Sequence, residues 1–193
     1  MRLTQSIRLS LGAALCLLPV FAFSHPGHDE SGLIAGVAHP LAGMDHLLAM
    51  FAVGLWATQQ TGRACLMLPA TFVGGMLLGG LLGFDGFAIA HLETGIAASV
   101  LAFGLLVAVA ARPPVTLAFA ITCLFGLAHG IAHGLELPEM ISPAAYAIGF
   151  VIATSALHAT GYALARWLPV SATVLIRVLG LTSAGTGVAL LAG

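Results

Sequence analysis

Between residue 31 and the C-terminus the chain holds six long apolar runs almost free of charge, and these decide what it can fold into. The core of a bilayer offers no water to an unpaired amide. A segment that crosses it must satisfy its own backbone, as a helix or within a closed barrel. Runs of about 20 residues match a helix spanning a ~30 Å hydrocarbon core, whereas a spanning strand needs only about half that length. The expectation is therefore an all-α, polytopic membrane helix bundle of six transmembrane helices. They are placed at Ser31–Thr58, Ala64–Gly83, Phe87–Ala111, Val115–Leu135, Ile141–Ala165 and Val170–Leu191.

Composition narrows the function. The chain is 60% hydrophobic and 7% charged, with a mean hydropathy of +1.07, where soluble domains carry about 25% charged residues. It has no Lys, and six Arg nearly balance seven acidic residues. Neither a basic face for nucleic acid nor a phosphate-cradling loop for nucleotide is present. Cys65 and Cys123 fall inside apolar runs without a CxxC partner, so they read as buried structural thiols. The 24 glycines suit helices that approach closely within a bilayer.

Residues 1–24 read as a signal peptide. Arg2 and Arg8 form the positive end, Leu9–Phe23 the apolar stretch, and Ala22 and Ser24 the small residues of a cleavage site before His25. Residues 25–193 then form the six-helix domain. Arg63, Arg112 and Arg166 follow the first, third and fifth spans, while Asp85, Glu136 and Glu139 follow the second and fourth. Because positive loops stay in the cytoplasm, this predicts a bacterial inner-membrane protein with both mature termini extracytoplasmic.

Ionisable residues inside these spans are expensive to bury and point to function. His39 and His46 are seven residues apart on the first span. On a continuous helix they share a face, about 10 Å apart along the axis. Asp45 is either an oxygen ligand or the group that orients an imidazole, and Pro40 interrupts the helix beside His39. His129 and His133 are an i, i+4 pair with Glu136 one step beyond. No Glu follows the first His, so the zinc-hydrolase HExxH motif is absent. The topology puts His39, His129, His133 and Glu136 in the outer half and Asp45 and His46 near the midplane. His91 and Glu93 open the third span from the same outer side. His25 and His28 in the HPGHDE tail are candidate collectors of metal, and His158 is a candidate inner step. A lone membrane histidine such as His91 or His158 also serves simply to bond a carbonyl of a neighbouring helix. Imidazole with carboxylate suits Ni²⁺, Co²⁺, Zn²⁺ or Mn²⁺ better than Cu⁺, and capture should weaken below pH ~6.5, where imidazole protonates.

The stretch HPGHDESGLIAGVAHPLAGMDHLLAM resembles the HupE/UreJ family of nickel/cobalt permeases. One family motif, HP followed by DH, is matched at His39-Pro40 and Asp45-His46. A second, FHG-x-A-HG-x-E, is matched at His129-Gly130, Ala132-His133-Gly134 and Glu136, with Ala128 in place of the Phe. The resemblance covers essentially the whole chain. It implies nickel uptake, with cobalt as the main variant, serving hydrogenase or urease maturation. The expected function is a secondary permease for Ni²⁺ or Co²⁺ (Zn²⁺ being a further candidate), not an enzyme and without a catalytic cofactor, its partners the metal ion and the bilayer. A homo-oligomer is compatible with this. The alternative is a membrane b-type haem or other electron-transfer protein using paired histidines as axial ligands. A membrane metal-dependent hydrolase ranks last, for want of a separate general base.

Overall fold

The computed structural model describes residues 32–137 and 142–193. The expected signal peptide, the HPGHDE tail and Glu139 lie outside them. All regular structure among the described residues is helical: α1 (Gly32–Ala42), α2 (Met44–Thr58), α3 (Ala64–Phe84), α4 (Leu92–Ala108), α5 (Val115–Glu136), α6 (Pro143–Trp167), a 3₁₀ turn (Val170–Ala172) and α7 (Thr173–Ala192). Four apolar helices are long enough to cross a membrane: α3, α5, α6 and the Val170–Ala192 segment. The α1–α2 pair makes a fifth if taken as one broken span. Leu66, Leu81, Leu124 and Val174 point outward and are exposed. An apolar surface of that extent needs hydrocarbon around it; the chain is a multi-pass membrane protein.

Two expectations change. The first apolar run is not one helix. It breaks at Gly43 (φ −90°, ψ 120°), and α1 and α2 meet at 82°. The break is not at Pro40, which is buried within α1; at Gly43 the extended backbone ends α1, and its carbonyl starts α2 by accepting from the Leu47 amide at 3.0 Å. The third apolar run also shortens, from the expected Phe87–Ala111 to 17 helical residues. Gly86 and His91 take left-handed backbone conformations before it, and Ala110 does so after it, closing both ends against helix propagation.

Helix pairing follows the glycines. A Cβ on Gly75 would lie 2.8 Å from the Cys123 carbonyl oxygen, and Cβ atoms on Gly79 and Gly83 would collide with Leu127 and Ile131 backbone. Partner numbers rise together, so α3 and α5 run parallel with backbones touching. Gly32, Gly36 and Gly54 likewise face Ser142, Tyr146 and His158, so α1 and α2 run along α6 in its direction. Gly187 faces Leu101 and Gly180 faces Ala108, which makes α4 and α7 antiparallel. At one end of the bundle Trp56 Nε1 and Gln60 Nε2 donate to the Ala111 carbonyl at 2.9 and 3.0 Å, and Gln59 Nε2 donates to that of Val107 at 3.0 Å. Side chains from the end of α2 thereby bond the carbonyls at the end of α4 and just beyond it. Arg63 and Arg112 line one cavity of about 380 Å³ there, so the two Arg-bearing loops lie side by side.

Candidate metal centre

The break at Gly43 makes the site. On a straight helix His39 and His46 would be about 10 Å apart along the axis; the bend brings their ring centroids to 6.1 Å. The end of α5 supplies a third imidazole between them, His133 lying 4.6 Å from His39 and 4.4 Å from His46. A ligand nitrogen from each of the three lies within 4.8 Å of the others. Nitrogens bound at about 2.1 Å to one metal are separated by roughly 3–4 Å, so a small contraction of these rings would close on an ion. The two rings are thus nearer than a continuous helix would hold them, because the chain turns by 82° between α1 and α2.

Carboxylates flank the imidazoles. Glu136 Oε2 lies 3.3 Å from His39 Nε2 and 3.5 Å from His133 Nδ1. Asp45 Oδ1 accepts from the His46 amide at 2.8 Å, within the first turn of α2, and stands 4.0 Å from His46 Nε2. A carboxylate there satisfies a free amide and meets the positive end of the helix dipole. Asp45 thus caps the first turn of α2 beside the three-imidazole group, its carboxylate beyond hydrogen-bond distance of the His46 ring. His129 sits behind it, its ring 5.1 Å from that of His46. Its Nδ1 is 2.9 Å from the Phe125 carbonyl. A carbonyl only accepts, so the proton is on Nδ1 and the buried Nε2 is a bare lone pair, the form in which histidine ligates metal.

The side chains of His39 and Glu136 are 34% and 56% exposed, those of His46 and His133 11% and 5%. The group therefore runs from an open rim to a buried floor. On that floor, among the described residues, His46 Nδ1 and both His133 nitrogens are buried without a hydrogen-bond partner, His133 with only the long approach to Glu136. Each such atom costs about 1–3 kcal/mol if left unsatisfied; a neutral imidazole keeps one lone pair, and a bound cation would use one from each ring.

His91 and Glu93 are placed differently from the rest. Both are exposed at the start of α4, and neither belongs to the three-histidine group. His25 and His28 lie outside the described residues. Several shaping residues carried no sequence signal. Phe150 packs 4.2 Å from the His133 ring, Tyr146 5.8 Å from that of His39, and Phe72 5.3 Å from that of His129; aromatic residues in an apolar helix look like any other core. A cavity of about 430 Å³ reaches His133 from the side, between α3, α5 and α6, walled by residues such as Met76, Leu81 and Phe84. Its lining is hydrocarbon, which keeps the imidazoles in a low-dielectric setting. Gly43 was legible, lying between the two histidines, but not its role. A Cβ on it would stand 2.7 Å from Asp45 Oδ1 and 2.8 Å from His46 Cδ2. Gly43→Ala is expected to displace His46 and weaken metal binding about tenfold or more, as for groups that orient metal-bound histidine, while the helical circular-dichroism signal stays unchanged. Calorimetric titration with Ni²⁺ measures this; wild-type affinity in a folded variant would remove Gly43 from the site's design.

Comparison with known proteins agrees with the motifs. The family model described as HupE / UreJ protein matches residues 13–190. Protein HupE of Rhizobium leguminosarum bv. viciae is 40% identical over 187 residues, covering 96% of this chain and 98% of the relative. No solved structure matches.

Proposed function

The chain belongs to the HupE/UreJ family, and on that footing we propose that it is a permease carrying a divalent transition-metal ion, Ni²⁺ or Co²⁺, inward across a bacterial inner membrane. The observation that carries the proposal is the group His39, His46 and His133. These three imidazoles come from separate helices and lie within 4.8 Å at their ligand atoms, and those of His46 and His133 hold buried nitrogens without a hydrogen-bond partner among the described residues. An all-nitrogen set with a carboxylate at its rim suits a borderline dication. The reading includes six crossings, with α1–α2 as the first and α4 as the third, and extracytoplasmic termini after removal of residues 1–24.

In this mechanism a hydrated ion first meets Glu136 and His39 at the exposed rim. The carboxylate supplies charge and the imidazole replaces a water. The ion then moves to His46 and His133, whose buried nitrogens take over from further waters, with His129 Nε2 behind them. Asp45 caps the first turn of α2 throughout. The protein's part is to exchange ligands in steps, so that no fully dehydrated ion faces hydrocarbon. The haem alternative needs two imidazoles on opposite faces of a macrocycle, and ring contacts of 4.4 and 4.6 Å leave no slot for one. A Soret band in the purified protein would reverse that judgement.

Metal analysis after competitive loading with Ni, Co, Zn, Mn and Cu tests the assignment; retention chiefly of Cu would overturn it. Glu136→Gln keeps the size of the rim residue and removes its charge. It is expected to reduce capture of Ni²⁺ about tenfold, read as the substrate concentration for half-maximal uptake in proteoliposomes. An unchanged value would take Glu136 off the path.

A further inference from the structure

We propose that His158, reached from the three-histidine group through His129, forms an inner station that ligates the transported ion part-way along α6. This rests on the permease reading and extends its path inward.

Four observations meet at His158. The residue is 3% exposed, and among the described residues neither buried ring nitrogen has a hydrogen-bond partner. A neutral imidazole always presents one donor and one acceptor. A histidine kept for structure alone would bond a carbonyl, as His129 does to Phe125; His158 makes no such bond with the described residues. Second, the imidazoles form a series. His129 lies 5.1 Å from His46, and the Phe72 ring lies 5.3 Å from both His129 and His158. Phe72 therefore packs against both His129 and His158, an aromatic ring shared by the outer group and the inner histidine. Third, depth along α6 separates the stations. Phe150 touches His133, and His158 is eight residues further on, about 12 Å along the helix. Fourth, the position is held. The His158 carbonyl lies against Gly54 of α2, where any Cβ would collide with it. One turn earlier Thr154, fully buried, directs its hydroxyl to Met76 Sδ at 3.7 Å, so the same face of α6 is tied to α3 by a polar contact.

The ligand class is a borderline divalent ion that accepts nitrogen, the same ion the outer group selects, so that an ion leaving His46 and His129 meets another imidazole instead of hydrocarbon. Cobalt titration of the purified full chain in detergent tests this through the visible spectrum. Wild type is expected to bind a first Co²⁺ and a weaker second one. His158→Ala should keep the first and lose the second, and should lower Ni²⁺ uptake in proteoliposomes at least tenfold. His158→Cys should show a thiolate-to-cobalt charge-transfer band above the wild-type background from Cys65 and Cys123. Two Co²⁺ ions retained by His158→Ala, or no new band in folded His158→Cys, would overturn the inner station. If His158→Ala does not give monodisperse protein, the band in His158→Cys decides. The cobalt spectra read His158 whether or not uptake is seen. Absent Ni²⁺ uptake by wild type, or uptake undiminished in His133→Ala, would instead overturn the permease reading.

Discussion

His133→Ala is expected to abolish metal uptake and to weaken metal binding at least about 100-fold, the upper end of what losing a mere orienting group costs. His133 is the hub of the site, with His39 and His46 rings 4.6 and 4.4 Å away and Glu136 at 3.5 Å. Neither of the others replaces it, since their own rings are 6.1 Å apart. The same substitution removes two buried ring nitrogens that lack hydrogen-bond partners among the described residues. Metal-free His133→Ala should therefore unfold no earlier than wild type. Adding Ni²⁺ at 100 times the dissociation constant should stabilise wild type by about 2.7 kcal/mol and leave the variant where it was. Melting in detergent with and without Ni²⁺ separates the two effects. His46→Ala should behave alike in uptake; full accumulation by cells expressing either variant would end the assignment.

Gly130→Ala is expected to destabilise the bundle by about 3 kcal/mol or more, at or beyond the upper end for overpacking. A Cβ there would collide with the Met76 carbonyl and stand 2.7 Å from the Gly80 amide nitrogen. Both obstacles are backbone, so no side chain can turn away and α3 must move off α5. That movement carries His129 and His133 with it, and metal binding should fall together with stability. Gly74, on the same α3, has nothing within 4 Å of where its Cβ would be. Gly74→Ala is expected to be neutral, or to stabilise by up to about 1 kcal/mol through helix propensity. Detergent melting of the two variants side by side checks the contrast. Equal tolerance of both would mean that α3 and α5 do not touch as described.

How much of this was readable in the chain differs from element to element. Apolar runs announced α3, α5, α6 and α7 because length against bilayer thickness needs no partner to interpret. The run containing α4 was read too long: Gly86, His91 and Ala110 leave the helical region, and hydropathy does not register backbone conformation. His39, His46, His133 and Glu136 were found because charge in an apolar span is conspicuous. Phe150, Phe72 and Tyr146 were not, since an apolar ring beside a ligand looks the same in sequence as one in any core.

The sequence by itself determined a helical membrane protein, the family to which it belongs, and the residues able to ligate a metal. These depend on composition and short-range spacing, which act within one helix. Tertiary structure alone decided which of those residues meet. The 82° bend at Gly43 turned two histidines a helix repeat apart into neighbours. The glycine contacts of α3 with α5 and of α1 and α2 with α6 then carried His133 between them and left His91 and Glu93 at the exposed start of α4. The physical reason is that a metal site is a set of distances between segments. Those distances follow from how closely backbones approach and where a helix breaks, which no local pattern records.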